Sequence, residues 1–186
     1  MARVPVIDPK TATGAAATLL GAVQAQLGVT PNFIRVLANS PKALEGFLGL
    51  YGAAAGFAVD KATQERIALA VAEGNGCQYC VSAHTAIGRH AGLSNEEMAL
   101  NRRGSSLDAK AAGTVAFAKA LNDHLGAVTS AEFDAARAAG LSDGEIVEVI
   151  AIVALNIFTN VLGKATRVEI DFPTVELMPA PLGVAA

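Results

Sequence analysis

The residues that could do chemistry in this chain lie in one short stretch, GNGCQYCVSAH, residues 74 to 84. It contains both cysteines of the chain, Cys77 and Cys80, and His84 follows Cys80 by four residues. Two sulfurs and an imidazole at this spacing could bind a metal, form a structural disulfide or carry out thiol redox chemistry. Which of these three roles applies depends on the secondary-structure elements that position the three side chains.

A helix that begins at Cys77 would place the three side chains on one stripe, because residues three and four apart share a helix face. The unpaired N–H groups and the positive end of the helix dipole favour a thiolate in the first turn. His84 could take up a thiol proton, or stabilise a thiolate as a cation. The helix start favours Cys77 as the more acidic thiol, whereas proximity to His84 favours Cys80.

A carboxylate from the preceding helix could complete this group. Residues 74–76, Gly-Asn-Gly, form an elbow between the pattern KATQERIALAVAEG and the cysteine helix, so the two helices could pack antiparallel. Glu65, twelve residues ahead of Cys77, could then orient the imidazole of His84 and raise its basicity. Glu73 at the elbow is the competing carboxylate, and an exposed Glu65 without a role is the other alternative.

A zinc site is a rival interpretation of the same residues. Cys77, Cys80 and His84 offer three ligands from two turns of one helix, whereas structural zinc takes four ligands in a tetrahedron. His90 lies on the opposite side of that helix, and we assign no role to it or to His124. We therefore predict no metal and no cofactor, and a passive pair of thiols stays as a further alternative.

The composition limits the kinds of partner that the protein could have. Apolar residues make up 52% of the 186 residues and charged residues 17%, so this chain has more apolar surface to cover than an average soluble domain. We expect a subunit interface to cover the excess, which predicts a homo-oligomer. The net charge of −3, with no basic block, argues against nucleic-acid binding.

The most apolar segment is EIVEVIAIVALNIFTNVLG, residues 145 to 163, which Glu148, Asn156 and Asn160 interrupt. Its uncharged part is shorter than the roughly 20 residues that span a bilayer, so we predict a helix in a core or between subunits and no membrane span. The two asparagines either line a redox pocket or tie helices together, and we favour the second. The N-terminus MARVPVIDPKT lacks the apolar stretch of a signal peptide, which predicts a cytoplasmic protein.

Helix start signals recur along the chain. Ser40 and Asp60 stand as caps before helical patterns. Ser94, Thr129 and Ser142 are each followed three residues later by a glutamate, as in a capping box.

No segment shows the alternation of apolar and polar residues that is typical of a half-buried strand. We therefore predict an all-α fold of about eight helices with short connections, in which an antiparallel helix pair carries the CxxC motif. The length suits a single domain over residues 1–186, and the prolines near the end predict an irregular tail over residues 172–186.

Residues 64–98, QERIALAVAEGNGCQYCVSAHTAIGRHAGLSNEEM, resemble the core of the AhpD-like alkylhydroperoxidases, within the carboxymuconolactone decarboxylase superfamily. The family pattern is a Glu, eleven residues, then C-x-x-C-x-x-x-H, and Glu65, Cys77, Cys80 and His84 all fit it. The fuller chain is similar to the peroxidase-related branch, and the resemblance implies an AhpD-like multi-helix fold.

The resemblance also implies a mechanism. Cys80 would be the peroxidatic residue, whose thiolate attacks the O–O bond of a small organic hydroperoxide and becomes a sulfenic acid. Cys77 would resolve the sulfenic acid as a disulfide, which a lipoyl or thioredoxin-like dithiol reduces. Glu65 and His84 would form the proton relay that activates Cys80, and the assembly would be a trimer or hexamer.

The chain departs from the family at one position. The best-known members carry a second histidine just before the second cysteine, where this chain has Tyr79. A phenol is a poor base near neutral pH, so we expect weak peroxidase turnover with disulfide exchange as the dominant activity. Two other functions stay open. One is a decarboxylase-type enzyme that uses Glu65 and His84 as acid and base on a small lactone, and the other is a non-catalytic oligomeric protein.

Overall fold

The structure is a computed structural model that describes residues 2–179. Over these residues it contains nine α-helices and no strand, which confirms the all-α prediction and adds one helix to the expected number. The helices are α1 (Gly14–Leu27), α2 (Asn32–Leu37), α3 (Pro41–Ala54), α4 (Lys61–Gly74), α5 (Gln78–His90), α6 (Asn95–Asn101), α7 (Ala109–Asp123), α8 (Ser130–Ala138) and α9 (Asp143–Thr166).

Side-chain caps begin α3, α4, α8 and α9 where the sequence predicted them. Ser40 Oγ accepts the N–H of Ala43 over 3.4 Å, and Asp60 accepts the N–H of Thr63 over 2.9 Å. The capping boxes at Thr129 and Ser142 are complete, because each following glutamate also accepts the N–H of its cap residue.

Helix α4 lies at the centre of the fold, packed against α5, α6, α7 and α9. It contributes to all three apolar clusters of the described residues: Ala72 to one with α1, α2, α3 and α5, Ile67 to one with α7, α8 and α9, and Leu69 to a small one beside α6. Contacts on every side restrain α4 against rotation and sliding, so the side chain of Glu65 is held in one place.

Helix α9 is two-faced. Eight of its residues are buried, whereas the opposite face exposes an apolar stripe that consists of Val147, Ile150, Phe158 and Val161. Within residues 2–179, α9 is the one helix long and apolar enough to cross a membrane, a test that core helices of soluble proteins also pass. Because its other face packs into the second apolar cluster, we interpret α9 as a core helix with an uncovered side.

The segment after α9 runs back across the cysteine helix. Residues 172–179 form neither helix nor strand, and residues 180–186 of the predicted tail lie outside the described part of the chain. The N–H of Val175 donates to Ser82 Oγ over 3.0 Å, and the N–H of Met178 donates to Glu73 Oε1 over 2.7 Å. These bonds hold the segment against α5 and the end of α4.

One predicted capping box is wrong. Ser94 Oγ accepts the N–H of Glu97, but the Glu97 carboxylate does not return to the cap and turns inward, where its side chain is buried. There it accepts four hydrogen bonds, from Arg66 Nε at 2.6 Å, Asn101 Nδ2 at 3.0 Å, Ser106 Oγ at 2.5 Å and the N–H of Leu107 at 2.8 Å. Burial works to raise the pKa of Glu97, but the hydrogen bonds prevail and lower it to about 2.

We expect Glu97→Gln to lower the free energy of unfolding by about 3 kcal/mol at neutral pH, because the amide leaves Arg66 without its buried partner. The folded pKa lies below the ordinary value of 4.5, so the carboxylate stabilises the fold above that pH and loses this effect as pH falls toward about 2. Urea unfolding across this range should show the gap between wild type and variant narrowing. Glu96→Gln, on the exposed side of α6, is the control and should stay within about 0.5 kcal/mol of wild type.

Candidate active site

Cys77 and Cys80 are joined by a disulfide at the start of α5, with their Cα atoms 5.3 Å apart. Cys77 is the N-cap residue, and its Sγ accepts the N–H of Cys80 over 3.4 Å. Gly76 has φ +61°, a left-handed conformation that favours glycine and lets the chain turn sharply from α4 into α5. The two sulfurs therefore meet within the first turn of the helix, as the CxxC spacing predicted.

Glu65 reaches His84 across the two helices. Its Oε2 lies 2.7 Å from His84 Nδ1, and the glutamate is only 3% exposed. Because the two residues are nearly equidistant from the 74–76 elbow, the contact requires α4 and α5 to pack antiparallel, as expected. The bond occupies Nδ1, so Nε2 is the nitrogen through which His84 could act on a second group.

The competing carboxylate, Glu73, is engaged elsewhere. Its Oε2 pairs with Arg102 Nε at 2.6 Å, and its Oε1 accepts the N–H of Met178. Met178 is part of the C-terminal segment, and Arg102 lies beside it. The structure therefore places Glu65 beside the imidazole and gives Glu73 a structural role.

A cavity of about 150 Å³ opens onto Cys80, Glu65 and His84. Its wall is largely apolar and aromatic and includes Phe33, Phe47, Leu48, Tyr51, Ile152, Leu155 and Phe172. Cys77 lies outside this lining and is packed against α9, where a Cβ added to Gly163 would stand 3.4 Å from its Sγ. A small organic molecule in the cavity would therefore meet Cys80, not Cys77.

Two cavity residues were missed by the sequence reasoning. Lys61 Nζ lies 3.0 Å from Glu65 Oε1 and 5.3 Å from the centre of the Tyr51 ring. The four-residue spacing of Lys61 and Glu65 on one helix is a signal that could have found the lysine. Nothing in the sequence indicated Tyr51, which comes from α3 and reaches the site only through tertiary packing.

The two partners of Glu65 decide its charge. Burial works to raise the pKa of this carboxyl, but the imidazole of His84 and the ammonium of Lys61 outweigh it, so the pKa lies below its ordinary value. Glu65 is therefore an anion at neutral pH despite its burial. An anion at Nδ1 holds the Nδ1–H tautomer of His84, which makes Nε2 the basic nitrogen.

Tyr79, the departure from the family pattern, is occupied away from the sulfurs. Its hydroxyl donates to Asp171 Oδ1 at 2.9 Å and accepts the N–H of Phe33 at 3.2 Å. Burial, together with the Asp171 carboxylate, raises the pKa of Tyr79 well above its ordinary value. The phenol is thus held neutral and serves to anchor the C-terminal segment.

Of the two asparagines of α9, one ties helices together and the other lines the cavity. Asn160 Oδ1 accepts a hydrogen bond from Asn75 Nδ2 at 2.9 Å, so this residue ties α9 to the elbow before the cysteines. Asn156 lines the cavity and donates to the carbonyl of Ile152 in its own helix. In residues 2–179 no group of three or more His, Cys, Asp or Glu side chains is arranged to hold a metal ion.

Comparison with known proteins relates the segment that carries this geometry to a known family. The model of the carboxymuconolactone decarboxylase family matches residues 41–123, a span that contains Glu65, Cys77, Cys80 and His84. An AhpD-core, uncharacterised peroxidase-related protein from Ralstonia eutropha JMP134 superimposes with a TM-score of 0.78 at 24% identity, over 91% of this chain and 92% of that one. The segment that carries the site thus matches the carboxymuconolactone decarboxylase family model, and the chain has the AhpD-like fold.

Other solved structures share the fold. An uncharacterised peroxidase-related protein from Silicibacter sp. TM1040 matches with a TM-score of 0.78 at 23% identity, over 89% of this chain and 88% of that one. The debrominase Bmp8 matches with a TM-score of 0.72 at 21% identity, over 84% and 86% of the two chains. The search of curated proteins found no match. At these identities the solved structures establish the AhpD-like fold and leave the activity to be argued from the site.

Proposed function

We propose that the protein is a thiol-dependent peroxidase that reduces small organic hydroperoxides through Cys80 and Cys77. The observation that carries the proposal is the presence of Cys80, His84 and Glu65 at one largely apolar cavity. They supply, in turn, a nucleophile, a proton acceptor and an anion that orients the acceptor. The apolar wall suits the organic part of a hydroperoxide.

The first half-reaction begins with both thiols reduced. His84 Nε2 takes the proton of Cys80, and the thiolate attacks the outer oxygen of the hydroperoxide. An S–O bond forms as the O–O bond breaks, which leaves Cys80 as a sulfenic acid and releases an alkoxide. The alkoxide leaves as the alcohol after it takes the proton back from His84. Cys80 is oxidised by two electrons and the hydroperoxide is reduced by two.

The second half-reaction uses the short distance across the helix start. The Cys77 sulfur attacks Cys80, forms the disulfide and releases water. The Cα separation of 5.3 Å in the disulfide means that this step needs no large backbone movement. An external dithiol of the lipoyl or thioredoxin type then exchanges with the disulfide, returns both thiols and leaves as its own disulfide.

A thiol count tests the proposal directly, because the chain has only two cysteines. One equivalent of cumene hydroperoxide added to the reduced protein should remove both thiols, and a dithiol such as dihydrolipoamide should sustain turnover. Cumyl alcohol has the same apolar body without the O–O bond and is the matched control, which should leave both thiols intact. Retention of both thiols after cumene hydroperoxide would sink the peroxidase mechanism.

The Glu65–His84 pair favours a second candidate function. A carboxylate and an imidazole 2.7 Å apart beside a cavity can also move protons on a small carboxylated lactone, as in a decarboxylase-type enzyme. In that reaction the cysteines would be dispensable. Turnover of such a lactone by a variant in which both cysteines are serine would favour this function over the peroxidase.

We also propose that the protein is cytoplasmic and forms a homo-oligomer, a trimer or hexamer, in which another copy covers the apolar stripe of α9. Phe158 supports this, because the residue is 42% exposed in the single chain, and aromatic side chains of this kind are enriched at interfaces. Exposed side chains at 147, 150, 158 and 161 recur on one side of the helix over four turns, and none of them is charged.

We expect Val161→Glu to shift the assembly toward monomer at micromolar concentration, because it places a charge in the exposed apolar stripe that the proposed interface would remove from water. Sedimentation velocity of wild type and variant measures this shift. The control is Lys119→Glu, a half-exposed position on α7 away from the stripe, which should leave the assembly unchanged. A wild type that sediments as a monomer would contradict the oligomer.

A further inference from the structure

Lys61 is the cavity residue that the proposed mechanism does not use. It stands at the first position of α4, one turn before Glu65, and its ammonium group lies 3.0 Å from Glu65 Oε1. The Lys61 side chain is 51% exposed, whereas that of Glu65 is 4% exposed. The lysine therefore lies between bulk water and the buried carboxylate. The Tyr51 ring, 5.3 Å from the ammonium, borders the lysine on the α3 side.

The carboxylate of Glu65 divides its two oxygens between two partners. Oε2 faces His84 Nδ1 at 2.7 Å, and Oε1 faces Lys61 Nζ. Without the ammonium, a carboxylate this deeply buried would keep one partner that is charged only when it is protonated. A buried carboxyl group in that position tends to take up a proton and become neutral.

We infer that Lys61 is a positioning residue of this site, whose ammonium group keeps Glu65 as the carboxylate that orients His84 toward Cys80. An effect of Lys61 on peroxidase turnover rests on the proposed function. The effect of Lys61 on the reactivity of the Cys80 thiol does not depend on that function. Lys61 acts through Glu65 and His84 and is not placed against the reacting atoms.

The other groups around Glu65 do not replace this charge. Helix α5 contributes His84, Tyr79 and Cys80 to the cavity. The Tyr79 hydroxyl donates its hydrogen bond to Asp171. Helix α3 contributes Tyr51, while α1 and α9 contribute an amide or hydroxyl at Gln26, Asn156 and Thr159 beside aliphatic side chains. Arg66, next to Glu65 in the chain, turns to Glu97 at 2.6 Å.

The sign of the effect follows from the charges. Burial opposes the ammonium of Lys61, but Glu65 and Tyr51 outweigh it and raise the pKa of Lys61, so the group stays charged across neutral pH. Removal of that charge raises the pKa of the Glu65 carboxyl. The relay then loses its anion at a higher pH than in the wild type, and activation of Cys80 begins at a higher pH.

The experiment follows the alkylation rate of Cys80 with pH, in reduced protein that carries Cys77→Ser so that one thiol reacts. We expect Lys61→Met to move the acid limb of this profile, where Glu65 takes up its proton, up by about one pH unit, the lower end of what an opposite charge at this distance produces. Lys61→Arg restores the charge and should return the acid limb to that of the background. Lys42→Met, which breaks an exposed lysine–glutamate pair in α3, is the matched control and should leave the profile unchanged.

A double-mutant cycle separates an action through Glu65 from a direct action on the thiolate. In a Glu65→Gln background, Lys61→Met should cause no further shift. A Lys61→Met profile that superimposes on its background would overturn the inference, and so would a full shift that persists with Glu65→Gln. Because alkylation needs no hydroperoxide, a shift in a protein that does not consume hydroperoxide would leave the role of Lys61 standing while the peroxidase function fails.

Discussion

Cys80→Ser should abolish hydroperoxide reduction, with a loss on the order of 10³-fold or more in the rate of the first half-reaction. The serine hydroxyl is not ionised at neutral pH and cannot form the sulfenic acid on which the cycle depends. Cys80 is the sulfur that lines the cavity beside His84, so no other thiol of the chain can take its place there. Rapid mixing with cumene hydroperoxide, followed by titration of the remaining thiol, measures the loss.

Cys77→Ser is the matched control for this change, because it removes the sulfur that lies outside the cavity lining. It should leave the first oxidation nearly as fast as in wild type and stop the cycle at the sulfenic acid. Dimedone should then label Cys80 in the variant after one equivalent of hydroperoxide. The opposite pattern, with dimedone labelling of Cys77 in the Cys80→Ser protein, would reverse the two roles.

Glu65→Gln should slow the oxidation of Cys80 by about 10- to 100-fold at neutral pH, the usual cost of losing a group that orients a functional histidine. Glutamine keeps the size of the side chain but removes the anion that faces His84 Nδ1 at 2.7 Å. In wild type the pKa of Glu65 lies below its ordinary value, so the rate should be sustained by this anion at neutral pH and decline in acid, as Glu65 takes up its proton. The Glu65→Gln variant has no such carboxyl, so this acid limb should be absent from its pH profile.

Glu73→Gln tests the same argument from the other side, because Glu73 is the carboxylate that competes with Glu65 on sequence grounds. Its bonds go to Arg102 and to the backbone of Met178, so the change should lower the melting temperature and leave the oxidation rate of the folded protein near wild type. If Glu73→Gln slowed Cys80 oxidation more than Glu65→Gln did, the assignment of the relay would be wrong.

The position of Tyr79 bears on how fast the proposed peroxidase reaction should be. The sequence indicated that the chain lacks the second histidine of the best-known family members, and the structure shows its replacement donating to Asp171. The phenol proton is therefore directed away from the sulfurs, which agrees with a relay that has His84 as its base. The expectation of weak peroxidase turnover, relative to disulfide exchange, stays a prediction for the thiol assays.

Much of the fold could be predicted from the sequence because it depends on interactions between residues close in the chain. The caps at Ser40, Asp60, Thr129 and Ser142 each satisfy N–H groups three residues ahead, so helix starts could be located without tertiary information. The stripe that carries the cysteines and His84 follows from helix geometry alone. For the same reason, the CxxC pair could be predicted to meet within one turn.

Tertiary packing decided the rest, because contacts between distant residues depend on how the helices are rotated and displaced relative to one another. Rotation of α4 by about half a turn would have turned Glu65 away from His84, and the sequence left it undecided between Glu65 and Glu73. Glu97 had the sequence of a capping box, yet the buried donors of Arg66 and the 101–107 loop bind its carboxylate instead. The cavity that brings Lys61 and Tyr51 to the site exists only because α3, α4, α5 and α9 converge there.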